Sequence, residues 1–384
     1  MPPDRLSGVP SFNSVDAAIE ALRRKDNFEP SDLYPRDGTK ELASLERRVG
    51  DLVGVAPTEV LLYNSGMASV VEAIELGFPT SGDFIAHSTQ LYSQTGRYFE
   101  SLRERGIKPV AFDSGDLESV ESVLEKRKPK ILFAETVSNA PGMSVLDVDG
   151  LLSIPAVREV DHLIVLDNTM PTPTIEPLGE TLDAVKGRRV VVVESGTKSY
   201  ALNGELLGIV YTKNPELLDL LRRRRRMNGS LPGLSTVTSV DNLLPSKEVF
   251  DLRNKTIAAN TKMFAEILAR RINGKSDFFV THPNLAGHQN AEYVGRKFPD
   301  GASQVMFLLC QGEQSQYDLA RALWENRYIQ DFCDLGQSFG FDRTRIWPDS
   351  GFPTVRIACG TESTDITVNL AVECANAILS SFSS

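Results

Sequence analysis

Cysteine and histidine are scarce in this chain, four of each among 384 residues. Their placement excludes more than their number does. Cys310, Cys333, Cys359 and Cys374 form no C-x-x-C pair and share no ligand-like spacing with His87, His162, His282 and His288, so no metal site and no dithiol redox centre is expected and the thiols read as reduced. No apolar run approaches the ~18 residues that a membrane span needs. The opening Met1-Pro-Pro-Asp-Arg-Leu lacks the basic region and apolar core of a secretory signal, and the expected compartment is the cytoplasm. Basic residues are in deficit, 41 against 51 acidic ones for a net charge of -10, which argues against general nucleic-acid binding. Arg222 to Arg226 are the local exception. On a helix five consecutive arginines wrap most of the surface, so a solvated helix or an interface rich in ion pairs is expected there rather than an anion site.

What is present is ordinary globular material, 41% hydrophobic and 24% charged, long enough for two domains and an arm. A helical pattern over Val15 to Arg24 precedes a Pro/Asp-rich passage, residues 29–38. Thr39 then stands three residues before Leu42, placed to cap a helix that runs through Leu45, Val49 and Leu52. Strands and helices alternate from there: a strand before Ser65, then Asp83 to Ala86, a helix from Thr95 to Arg105, Val110 to Phe112, a helix from Leu117 to Arg127, Lys130 to Glu135 and Leu163 to Asp167. Such alternation implies a parallel sheet covered by helices on both faces, with ligands beyond the carboxyl ends of its strands. After another strand at Leu207 to Tyr211 come a basic helix, Pro215 to Met227, and a long one, Ser246 to Arg271. A second, smaller domain is expected near the long helix. It holds a strand at Val305 to Cys310, another at Thr354 to Gly360 and a last helix, Thr364 to Leu379. The expected division is 1–55 for the arm and first helix, 56–240 for the large domain and 241–384 for the C-terminal domain.

The chemistry gathers at Val190-Val-Val-Val-Glu-Ser-Gly-Thr-Lys-Ser-Tyr200. Four valines without alternation suit a strand buried on both faces, and the strand delivers Ser195, Thr197 and Lys198 to a polar turn. A partly desolvated lysine has a lowered pKa and an amine free to form a Schiff base, and two nearby hydroxyls suit a phosphate. Together they suggest pyridoxal 5'-phosphate (PLP). Two other motifs fit less well: a phosphate-binding loop needs Gly directly before Lys, where Thr197 stands, and S-x-x-K of serine acyl enzymes lacks its companion S-D-N and K-T-G signatures. A solvated turn lysine is the bland alternative. Ser65-Gly66-Met67-Ala68, between a strand and a helix, offers helix N-terminal amides as a phosphate cradle or is simply a tight turn. Asp167, ending an apolar strand, is costly to bury unless it meets a cation. Arg356, inside another, needs a carboxylate, either a substrate's or an internal partner's.

These stretches, in this order, resemble the Cys/Met-metabolism family of PLP enzymes, the fold-type-I group containing cystathionine γ-synthase and the cystathionine lyases. Tyr34-Pro-Arg36 with Leu45-Glu46 is similar to its Y-x-R…LE segment, Ser65 to Ala68 to its S-G-M-A turn, and Tyr92 to the tyrosine that stacks on the pyridine ring. Glu135 with Ser138-Asn139 resembles E-x-P-S-N-P, Asp167 to Pro173 resembles D-N-T-F-A-T-P, Ser195 to Lys198 resembles S-A-T-K, and Arg356 resembles the arginine of R-x-S-x-G. The resemblance implies a mainly parallel, seven-stranded-type sheet domain with a smaller α+β C-terminal domain. It implies Lys198, Tyr92 and Asp167 as catalytic residues, and Ser65, Gly66, Met67, Tyr92, Asn139, Asp167, Ser195, Thr197 and Lys198 around PLP, with Tyr34 and Arg36 reaching the phosphate of a neighbouring subunit. Arg356, Asn139 and Ser338 fall to the substrate, an amino acid such as an O-activated homoserine or a cystathionine-like or S-adenosylmethionine-like compound undergoing γ-elimination or γ-replacement; β-elimination or transamination is the alternative, and a non-catalytic PLP-fold binding protein a further one. A homodimer is the implied active unit, assembling further to a homotetramer. The chain departs from the family pattern where substrates are read: Ser93-Gln94 replaces Gly-Gly, Glu205 replaces the histidine of N-G-H, Ala358 replaces a serine, and Phe339 stands at the glutamate position tied to cystathionine chemistry. Cofactor residues are kept and substrate residues are not, which implies a non-standard substrate.

Overall fold

The computed structural model describes residues 14, 20, 38–159, 162–310 and 315–382. Tyr34, Arg36 and the helix expected at 15–24 lie outside the described residues, apart from Glu20, which is helical. The helix after Thr39, α1 (Lys40–Val53), begins as its sequence dictates: Thr39 Oγ1 accepts the Leu42 N–H at 3.1 Å, and Leu42, Leu45, Val49 and Leu52 are buried.

Seven strands follow, β1 (Val60–Tyr63), β2 (Phe84–Ser88), β3 (Lys108–Phe112), β4 (Ile131–Glu135), β5 (Leu163–Asp167), β6 (Val190–Ser195) and β7 (Gly208–Tyr211). They form one sheet in the order β1-β7-β6-β5-β4-β2-β3. β3, β2, β4, β5 and β6 pair in parallel, whereas β7 runs antiparallel to both of its neighbours. The sheet is therefore mainly parallel, as expected, with β7 as the reversed strand. The segment between β6 and β7 holds a single helical turn, Gly196–Ser199, too little to carry the chain back along the sheet for another parallel strand.

The absence of alternation in the central strands has the expected cause. Leu132, Ala134, Ile164, Leu166, Val190 and Val192 join one apolar cluster, while Ile131, Phe133, Leu163, Val165, Val191 and Val193 join another. Both faces of the sheet are therefore covered. The helices between the strands include α2 (Gly66–Glu75), α3 (Ser93–Leu102), α4 (Leu117–Arg127) and α5 (Pro215–Asn228). The arginine run lies on α5 and is taken up within the chain. Arg225 Nη1 lies 2.5 Å from Glu46 and donates to the Leu62 carbonyl at 2.7 Å, Arg224 pairs with Glu72 at 2.8 Å, and Arg223 pairs with Asp219 one turn earlier.

A second sheet, in the order β10-β11-β12-β9-β8, is built from β8 (Phe278–Thr281), β9 (Val305–Cys310), β10 (Cys333–Leu335), β11 (Thr344–Pro348) and β12 (Thr354–Ala358). The long helix α6 (Lys247–Ile272) and the last helix α7 (Thr364–Phe382) contribute Phe264, Leu268, Ile272, Leu370 and Ile378 to its apolar cluster. Cys333, Cys359 and Cys374 are buried in that cluster as free thiols. Burial pushes the Cys310 thiol up to about 11 and the other three higher still. Such thiols are packing residues rather than nucleophiles. Among the described residues no helix is long and apolar enough to cross a membrane and no cluster could hold a metal.

Candidate active site

The carboxyl ends of β4, β5 and β6, the start of α2 and the loop after β10 meet at one place. β6 ends at Ser195, and Lys198 follows in the short helical turn. Burial, and after it the positive charge of Arg356, draws the Lys198 amine down to about 8. Its Nζ lies 5.8 Å from the centre of the buried Phe339 ring, and no hydrogen bond or ion pair joins it to another described residue. A solvated turn lysine would show none of this.

Gly66 and Met67 open α2, ahead of its intrahelical hydrogen-bond ladder. Ser65 Oγ caps that helix by accepting the Ala68 N–H at 3.1 Å. Glycine is required at 66 because a Cβ there would stand 2.8 Å from Ser195 Cβ and 3.0 Å from Ser195 Oγ. The contact places the Ser195 hydroxyl beside amides suited to an anion. Thr197 is engaged differently: its Oγ1 accepts the Leu207 N–H at 3.0 Å and so fixes the return toward β7.

Asp167 ends β5 with Oδ1 accepting from Thr169 twice, the backbone N–H at 3.0 Å and the hydroxyl at 2.5 Å. The same hydroxyl accepts the Ser195 N–H at 2.8 Å, tying the end of β5 to the end of β6. Burial raises the Asp167 pKa despite these donors. In register beside it stands Glu135 at the end of β4, whose pKa rises to about 8 through burial and then through Asp167's charge. Glu135 accepts the backbone N–H of Tyr92 at 2.6 Å and of Asn139 at 2.8 Å. Tyr92 immediately precedes α3 and is 41% exposed. The Ser138 hydroxyl and the Asn139 Oδ1 are buried and have no hydrogen-bond partner among the described residues.

Arg356 sits mid-strand on β12, across from Phe307 and Trp347. Burial lowers its pKa against the opposing fields of Asp349 and Tyr92, yet it forms no ion pair with any described residue. A buried guanidinium with no described ion-pair partner is chemically suited to a carboxylate, which its fork of donors can grip at two points. Ser338, at φ 79°, donates its hydroxyl to Asn203 Oδ1 at 2.8 Å, and Asn203 Nδ2 donates to the Phe339 carbonyl at 2.9 Å. Ser338 thus ties the loop down in this structure. Gly340, at φ 78°, brings that loop against Lys198, where a Cβ would lie 3.2 Å from the lysine's backbone carbonyl.

Three further residues escaped the sequence reading as site residues. Thr169 was legible as the third residue of a D-x-T turn, in which a hydroxyl two residues on returns to the aspartate. Asn203 carries no such signal, because its partner is 135 residues away. Glu194 lies immediately before Ser195 and accepts from the Tyr200 hydroxyl at 2.7 Å and the Tyr211 hydroxyl at 2.8 Å. Burial, only partly offset by these donors, pushes Glu194 up to about 8. With a folded pKa above the unfolded one, its contribution to stability is fully present below about 4.5 and is lost as pH rises through about 8. Glu194→Gln is expected to remove this loss, roughly 1.4 kcal/mol per pH unit across the window for one group. Urea midpoints of cofactor-free wild type and variant between pH 5 and 8.5 check it, and parallel pH slopes would refute it.

A desolvated lysine at a strand end, a buried carboxylate on the neighbouring strand, an amide-lined anion turn and two orphaned polar atoms just after β4 fit PLP. The fold and site are those of a PLP-dependent enzyme. The chain belongs to the Cys/Met metabolism PLP-dependent enzyme family, whose model matches residues 10–330. It is 31% identical to cystathionine gamma-synthase of Escherichia coli (strain K12) over 291 residues, 73% of this chain and 69% of that one. To the chloroplastic cystathionine gamma-synthase 1 of Nicotiana tabacum it is 28% identical over 307 residues, 79% of this chain and 52% of the relative. Among solved structures, cystathionine gamma synthase of Xanthomonas oryzae pv. oryzae, in complex with cystathionine, shares the fold with a TM-score of 0.75 at 21% identity, over 99% of this chain and 94% of that one. A Campylobacter jejuni protein assigned as an O-acetylhomoserine (thiol)-lyase, carrying N'-pyridoxyl-lysine-5'-monophosphate, superposes with a TM-score of 0.74 at 21% identity, over 98% and 94% of the two chains.

Proposed function

We propose that the protein catalyses γ-elimination or γ-replacement on an amino acid bearing a leaving group at Cγ, with Lys198 as the residue that holds PLP. The observation carrying this reading is the buried Lys198 amine, 5.8 Å from the Phe339 ring and joined to no described partner, which burial and then the Arg356 charge draw down to about 8. In this reading the Gly66 and Met67 amides with the Ser195 hydroxyl would hold the phosphate, Asp167 would pair with the pyridine nitrogen, and Tyr92 would lie against the ring. PLP, when bound, supplies an electron sink for the substrate's α-carbon. Arg356 grips the substrate carboxylate through its fork of donors, with Asn139 Oδ1 as a further polar contact. Lys198 then moves protons between Cα and Cβ, a role that a neutral amine near physiological pH can fill. Thr169 keeps the Asp167 carboxylate in place throughout.

Phe339 bears on substrate choice. An apolar ring beside the reacting amine gives no counter-charge to a distal ammonium group, so an O-activated homoserine suits this wall better than cystathionine. Product analysis with O-acetylhomoserine, cystathionine and S-adenosylmethionine in turn tests the reading. Release of 2-oxobutanoate, or of a replacement product, from O-acetylhomoserine supports it, while pyruvate from cystathionine as the main product would move the chemistry to β-elimination.

The same proposal divides the chain at residues 55 and 240, in line with a first sheet drawn from 60–211 and a second from 278–358. Free, mostly buried thiols suit a reducing compartment, here the cytoplasm. A homodimer, paired into a homotetramer, would let Tyr34 and Arg36 reach the partner's phosphate site. Mixing inactive Lys198→Ala with Arg36→Ala subunits should restore up to about a quarter of wild-type activity if exchange is random; no recovery despite demonstrated exchange would rule out the shared site.

A further inference from the structure

We infer that Glu135 is a positioning residue that straps the Tyr92 loop and the Asn139 loop together beneath the cofactor position. Its two carboxylate oxygens are spent on two different loops, Oε1 on the Tyr92 N–H at 2.6 Å and Oε2 on the Asn139 N–H at 2.8 Å. The side chain is 4% exposed, so water does not substitute for either bond, and both are charge-assisted when the carboxylate is ionised. Tyr92 lies 43 residues away along the chain and stands at the N-cap of α3 with no side-chain cap of its own. The Glu135 carboxylate therefore takes the N-cap residue's own N–H, one of the helix's free N-terminal donors, at the positive end of the helix. On the other side it holds the Asn139 backbone while the Asn139 Oδ1 remains without a partner. The strand end that carries Glu135 is in register with Asp167. One buried side chain thus fixes the backbone of Tyr92 and of Asn139, the residue with the spare acceptor, while Asp167 stands in register beside it.

The inference rests on the PLP reading and is tested apart from it. Above about pH 8, where Glu135 is ionised, its carboxylate accepts on both oxygens at once, whereas the carboxamide of Glu135→Gln accepts on one and turns its NH2 against the other amide, so wild type and variant are compared at pH 9. PLP should still attach to Lys198 in this variant and be fixed there by borohydride. The visible circular dichroism of the bound cofactor should fall by about half or more as Tyr92 loosens, and the PLP dissociation constant should rise about tenfold. A merely structural role would lower the thermal midpoint and leave both readouts unchanged. In a Tyr92→Leu background the further loss of dichroism on Glu135→Gln should shrink, because the ring that the strap positions is gone. Should Glu135→Gln fail to fold, Glu135→Asp, one methylene shorter and able to reach one amide at most, is read in the same way. Wild-type dichroism and PLP affinity in the folded variant overturn the strap. Absence of covalent PLP at Lys198 in the wild type would overturn the cofactor assignment instead.

Discussion

Lys198→Ala is expected to abolish covalent retention of PLP and to lower turnover by about 10³-fold or more, since one side chain supplies both the attachment and the proton transfers. After incubation with PLP and borohydride, wild type should carry the label on the peptide containing Lys198 and the variant on none. Label on another lysine of the variant would refute the assignment. The environment adds a second measurable signature. Because burial and Arg356 bring the amine to about 8, capture of PLP should accelerate as pH rises through that value, well below the range of an ordinary lysine. Arg356→Ala removes the second of the two causes, so the rising limb should move upward in pH. The Lys198→Ala protein itself should fold. Its loss removes a desolvated amine, and the contacts of Phe339 with the apolar cluster around Val305 and Phe307 do not depend on it.

Much of this site was legible before any coordinate, for a definable reason. Runs such as Val190 to Val193 state their burial through the absence of alternation, and the polar residues that end them, Asp167 and Ser195, must then lie at a sheet edge. Helix caps are local too, so Thr39 and Ser65 could be read from three-residue spacing. The reversal of β7 was hidden because strand direction is set by what the intervening chain can span rather than by the strand's own residues. Short strands of the second sheet, β8, β10 and β11, carry three to five residues each, too few for a period to show. The ties made by Glu135, Asn203 and Glu194 pair residues far apart in sequence or face inward, and no spacing rule announces them. Arg356 was legible as an anomaly, a cation in an apolar strand, but only the structure shows that no described carboxylate answers it.

Asp167→Asn is expected to reduce turnover by about 10²- to 10³-fold, the range seen when one preorganised electrostatic contact is removed, while leaving the fold intact. The substitution conserves size, and an amide oxygen can still accept from the Thr169 N–H and hydroxyl, which hold Asp167 Oδ1 at 3.0 and 2.5 Å. What disappears is the negative charge that the proposed function sets against the pyridine nitrogen. Stability of the cofactor-free protein should move the other way. Burial raises the Asp167 pKa in the folded state, so the ionised side chain is a liability there: its contribution is present at low pH and lost as pH rises through the raised value. Removing the charge should flatten that loss, and it should also relieve Glu135, whose pKa is raised in part by Asp167. The variant is therefore expected to match or exceed the thermal midpoint of wild type at pH 8 without PLP, yet to gain less than wild type when PLP is added, because the stabilisation conferred by a ligand follows its affinity. Thermal midpoints with and without PLP, measured beside turnover, separate the two effects. A variant with wild-type turnover and a wild-type PLP-dependent shift would show that Asp167 does not face the cofactor's nitrogen.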